Sequence, residues 1–140
     1  MAYQIIRKNR IVEDLELCTA DGTVAETIHV DLNVDQMAAR LRAATADLAK
    51  AKSEMENAPD DEKKVEALGN ATIALFDVIF GEEGRKKIVD FYEDAYTEML
   101  VDVFPFIAEV VLPKVNEASA ARREQLLAAA KFNRKHGWRR

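Results

Sequence analysis

The sequence is poor in the residues that staple, ligate or punctuate a chain. Of 140 residues, one is cysteine, two are histidine, three are proline and five are glycine. The lone Cys18 closes no internal disulfide, which excludes a disulfide scaffold and fits a reducing compartment. Cys18, His29 and His136 stand at no metal-ligand spacing, and CxxC and HExxH are both missing, so no metal site is expected. There is no GxSxG, and neither histidine has a serine or cysteine partner close by in the chain, so no nucleophilic catalyst is expected. A glycine loop that would cradle phosphate is also lacking. Gly81 and Gly84 are two glycines flanked by acids, which would repel phosphate. No apolar run approaches the roughly 20 residues that span a bilayer. The opening MAYQIIRKNR has no continuous apolar stretch of the secretory kind, and a cytosolic protein is expected.

What is present describes one soluble domain over residues 1–140. Hydrophobic residues make up 49% and charged residues 32%, enough of each for a packed core and a solvated surface. A chain this long buries roughly 70% of its unfolded surface and needs no metal or disulfide to do so. The net charge of −5 conceals an asymmetry: residues 122–140 carry +6 and the rest carries −11. The body repels nucleic acid on average, and only the tail attracts it.

The patterning predicts an α+β fold, an N-terminal β-hairpin followed by a bundle of four or five α-helices. Residues 1–32 form the hairpin region. Polar and apolar residues alternate through Asp14–Cys18 and again through Val24, Glu26, Ile28, Val30 and Leu32, with Asp21-Gly22 between them as a turn. Tyr3 to Ile6 is a further short strand candidate. His29 falls on the solvent face, and Cys18 is expected to pack as a small apolar group.

Residues 33–132 are helical. Asn33 caps helix one, with Gln36 three residues on, and Val34, Met37, Leu41, Ala44, Leu48, Ala51 and Met55 follow a 3-4 spacing. That stripe suits packing within a helical hairpin or docking on a partner helix. Ala58-Pro59-Asp60-Asp61 ends this helix and caps the next, expected over 61–80. Gly81 fits the residue just past a helix end. A third helix is expected over 85–104, with Pro105 opening another and Pro113 kinking or dividing it. Seven of the ten aromatics lie between Phe76 and Phe106, which places the densest core there. Residues 133–140 form a basic tail expected to fray.

Three surfaces remain as carriers of function. Glu82, Glu83, Asp90, Glu93, Asp94 and Glu98 have the spacing of magnesium-binding acids in helical NTP pyrophosphohydrolases, though a solvated helix face is the reading such charge runs favour. Glu62 and Glu66 would have to supply the second pair. The basic tail, with Phe132 and Trp138, suits nucleic acid, an acidic protein partner or plain helix-end solvation. Finally, Phe91, Tyr92, Tyr96, Phe104 and Phe106 are the candidate partner-binding residues, forming an apolar groove.

Two stretches, DLELCTADGTVAETIHVDLN (14–33) and ALFDVIFGEEGRKKIVDFYEDAYTEMLVDVFPFI (74–107), with the helix between them, resemble the tail assembly chaperones of long-tailed bacteriophages, especially those of Gram-positive hosts. The likeness lies in the order of parts: hairpin, alanine-rich helix, FGEE-like break and aromatic–acidic helix ending in FPFI. It implies a non-enzymatic protein of the host cytoplasm that coats the tape measure protein, keeps it soluble and brings major tail protein to it, without a cofactor. Many members are also made in a longer, frameshifted form. Self-association is expected as well, because a lone hairpin leaves open edges that pair with another copy. The rival expectations are a magnesium-dependent NTP pyrophosphohydrolase and a small nucleic-acid-associated protein using the basic tail.

Overall fold

The structure, a computed structural model, describes residues 2–5 and 10–135, with side chains up to Lys131. An antiparallel hairpin, β1 (Ile11–Cys18) and β2 (Val24–Leu32), is followed by helices, so the fold is α+β. The register pairs Ile11 with Leu32 and Leu15 with Ile28. Side chains alternate across the sheet, so Ile11, Leu17, Ile28, Val30 and Leu32 are buried on one face while His29 lies on the other. His29 Nδ1 meets Asp14 Oδ1 there at 2.6 Å. Cys18 is exposed rather than packed, because the same alternation that turns Leu17 inward turns its neighbour outward. Residues 2–5 form no strand; Ile6, the end of that expected strand, lies outside the described residues.

Three helical rods follow, not four or five separate helices. The first is α1 (Val34–Asn57), capped by the Asn33 side chain, which accepts from the Asp35 N–H. Its stripe is used inside the fold: Val34, Leu41, Ala44, Leu48 and Ala51 are buried, together with Ala38. The alanines let α1 lie close along its antiparallel partner.

The second rod is α2 (Glu62–Phe91), capped by Asp61 through the Lys63 N–H. Its first segment ends at Phe80, as Gly81 predicts. Gly81 (φ 74°, ψ 168°) kinks it, and helix resumes at once. That conformation is open to glycine and costly for other residues. Arg85 Nε donates to Asp77 Oδ1 across the kink at 2.8 Å. Beyond it Gly84 lies tight against the hairpin, its missing Cβ only 3.1 Å from Ile28 Cγ2.

The expected third helix is split. Tyr92–Ala95 form a turn in which Glu93 (φ 51°) and Asp94 (φ 65°) are left-handed. Neither glycine nor proline marks the spot. Tertiary contacts hold it, with the Tyr92 hydroxyl donating to Asp102 Oδ2 at 3.1 Å.

The third rod joins α3 (Tyr96–Phe106), a π-helical turn (Ile107–Val111) and α4 (Leu112–Lys135). Pro105 starts no new helix, and Pro113 does not divide one. Both are exposed, so water can hydrate the carbonyls that lose a donor. Met99, Val103, Ile107, Val111 and Val115 are all buried in a line, each four residues from the last. In an α-helix such a ladder drifts by about 40° per step and would wind away from the core. The π-turn, where the Leu112 N–H reaches back five residues to the Ile107 carbonyl, takes up one extra residue and resets the line. Opposite it stand Leu75, Phe76, Ile79, Phe80 and Ile88 of α2. Phe80 meets Phe76 edge-on at 5.5 Å and stacks on Phe106 at 6.3 Å. The densest core is therefore where the aromatics predict it, extended down the third rod.

Past Ser119 burial stops: every side chain from Ala120 to Lys131 is exposed. α4 thus leaves the body as an arm. Its base is tied by Lys114 to Glu13 on β1 and by Arg122 near Asp35 on α1 (3.9 Å). The arm's backbone is helical to Lys135; of the tail expected to fray, 133–140, residues 136–140 lie outside the described set.

Candidate functional site: two hollows and an arm

Two open hollows lie beside the turn at Tyr92–Ala95, and a third, of about 340 Å³ between β2, α1 and α2, includes Gly81 in its lining. The first, about 440 Å³, lies between the far end of β1 and the 91–103 segment. Phe91 and Tyr92, edge-on to each other at 5.1 Å, form its aromatic wall. Glu16, Glu93, Glu98 and Asp102 ring it, with the Cys18 thiol at its edge. Burial, aided by the hydrogen bond to Asp102 and that carboxylate's charge, pushes the Tyr92 phenol up to about 12. Tyr92 is therefore a neutral donor that pins the turn.

The second hollow, about 410 Å³, runs between the first half of α2 and the start of α3. Its lining is mostly apolar: Val65, Leu68, Ile73, Tyr96 and Leu100, with Glu66 and Asp94 at the rim. Val65 and Tyr96 keep large exposed surfaces there. Gly69 lines it too, and a Cβ built on that residue would meet nothing within 4 Å.

The five aromatic candidates are thus not gathered into one groove. Phe91 and Tyr92 line the first hollow and Tyr96 the second. Phe106 is half-buried on Phe80, and Phe104 is half-buried against the core. The aliphatic groove of α2 and α3 was missed, and so was the open face of the arm. Both left a trace in the sequence, since Gly69 interrupts a helical pattern without ending it and Leu126-Leu127 sit in a polar, alanine-rich run.

The acids proposed for magnesium, Glu82, Glu83, Asp90, Glu93, Asp94 and Glu98, are all exposed, as are Glu62 and Glu66. Among the described residues no three histidines, cysteines or carboxylates cluster as a metal-holding group. Glu82 bonds to Lys86 at 3.0 Å; that hydrogen bond, then the charges of Lys86 and Arg85, hold its carboxyl below the ordinary range. Of the basic residues, Arg122, Arg123 and Lys131 are exposed on the arm. Among the described residues no helix is long and apolar enough to cross a membrane.

Compared with protein-family models, curated proteins and solved structures, the chain matches none.

Proposed function

We propose that this protein is a non-enzymatic tail assembly chaperone of a long-tailed bacteriophage, acting in the host cytoplasm. It binds the tape measure protein, keeps it soluble and helps to recruit major tail protein. The observation that carries the reading is the apolar groove between α2 and α3, with Glu66 and Asp94 at its rim. A long amphipathic helix presents an apolar stripe that aggregates when bare, and a groove of this kind receives such a stripe. The −11 charge of residues 1–121 keeps the loaded complex in solution. The two stretches that resemble the chaperone family, 14–33 and 74–107, contribute the hairpin, the kink and the α3 wall of this groove. Binding is reversible and makes no bond; it draws the client out of the aggregating pool by mass action.

Co-expression tests this. A tape measure fragment that is insoluble alone is expected in the supernatant when this chain is present. No rescue overturns the reading. Pyrophosphate release from a nucleoside triphosphate, lost in Glu93→Gln, would replace it with the magnesium enzyme.

A further inference from the structure

The arm and the α2–α3 groove are complementary in charge, and each presents apolar side chains. On the arm Leu126, Leu127 and Ala130 share one face, with Arg123 one turn before Leu127 and Lys131 one turn after it. Leu126 is 73% and Leu127 56% exposed, in a helical stretch whose described side chains, 120–131, are all exposed. A helix so short and bare gains most of its stability only when a face is covered. The groove offers an apolar lining and an acidic rim. It also offers room, because Gly69 supplies no side chain where a helix residue ordinarily would.

We infer that this groove receives the leucine face of the arm of a second copy of the chain. Arg123 and Lys131 then meet Glu66 and Asp94, and the leucines enter over Gly69. A chain's own arm cannot do this. Tyr96, in the groove wall, and Leu126 lie on the same continuous rod, 30 residues apart in number, so about 45 Å of helix separates them. Arm-to-arm pairing is disfavoured as well, since each 122–140 segment carries +6. The contact joins two different surfaces, so it closes as a reciprocal pair or a ring, or else propagates. The hairpin edges need not take part.

Sedimentation velocity on the full chain over a range of concentrations tests the inference. The wild type is expected to associate, more weakly at high salt. Leu126→Glu and Gly69→Leu are each expected to weaken association at least about tenfold. Both alter open positions, and circular dichroism should show both variants folded. Mixing the two variants is the decisive arm, because the intact arm of Gly69→Leu fits the intact groove of Leu126→Glu, and a mixed complex should form that neither variant makes alone. A wild type that stays monomeric overturns the inference, as does association that both variants retain, or a mixture that stays apart. The client and the arm would compete for one groove, yet the two readings fail separately: client rescue by a monomer would leave the chaperone reading standing and sink this one.

Discussion

At the scale of single residues, two helical glycines have opposite meanings. Gly69 faces open space, whereas a Cβ on Gly84 would come within 3.0 Å of Phe80 Cβ and 3.1 Å of Ile28 Cγ2. Neither has an unusual φ. Gly69→Ala should therefore raise stability by about 0.5–1 kcal/mol, through backbone entropy alone. Gly84→Ala gains the same entropy but wedges α2 off the hairpin, and a net loss of about 1 kcal/mol is expected. Chemical denaturation of the two variants side by side checks the sign of each. The contrast also shows what a lone sequence conceals. Both glycines look like the same local interruption, and only the neighbour brought up by the Gly81 kink tells them apart.

At the scale of elements, the hairpin turn is held by its own side chains. The Thr19 hydroxyl and then the Thr23 N–H (2.9 Å) donate to the Asp21 carboxylate and hold its pKa at about 2, below the ordinary 3.8. A folded value below the unfolded one means that the contribution to stability is complete above about pH 4 and is lost as pH falls towards 2. NMR titration of the Thr23 amide should show that low midpoint, and Thr19→Val should move it up. The turn was legible because Asp-Gly and the alternation agree. The start of β1 was not: Glu13 occupies an inward position that reads as polar, and Lys114, far along the chain, neutralises it. Asn33 and Asp61 announced their helices correctly, since capping is local. The two long-range decisions were misread. Pro105 signals a new helix and Pro113 a kink or division, but the buried ladder from Met99 to Val115 outweighs two exposed carbonyls without donors. FYEDAY signalled helix, yet the Tyr92 hydroxyl and Asp102 fix a left-handed turn within it. The aromatic run likewise pointed to the core more than to any surface, which is why the groove had to be found in three dimensions.

At the scale of the whole molecule, stability and the arm separate cleanly. Among the described side chains the last buried one is Val115, and nothing from Ala120 to Lys131 adds to the core. A chain ending at Ala121 is expected to melt within a degree or two of the full protein, because surface losses of this kind amount to roughly 0.5 kcal/mol or less. Its net charge would fall from −5 to −11. Differential scanning calorimetry checks the first point, and a large drop in melting temperature would show that the arm folds back on its own body. Such a truncation would also remove self-association, as the arm-in-groove contact requires.

The π-turn at Ile107–Val111 fixes the rotational setting of everything after it. Residues added beyond Val115 lengthen the arm by about 1.5 Å each but swing its leucines by about 100° each. Additions of about seven or eleven residues bring the leucines back to nearly the same bearing, whereas two or five point them elsewhere. The reach of this protein is therefore adjustable only in coarse steps, like a ratchet, and related chains of different length should differ by those steps.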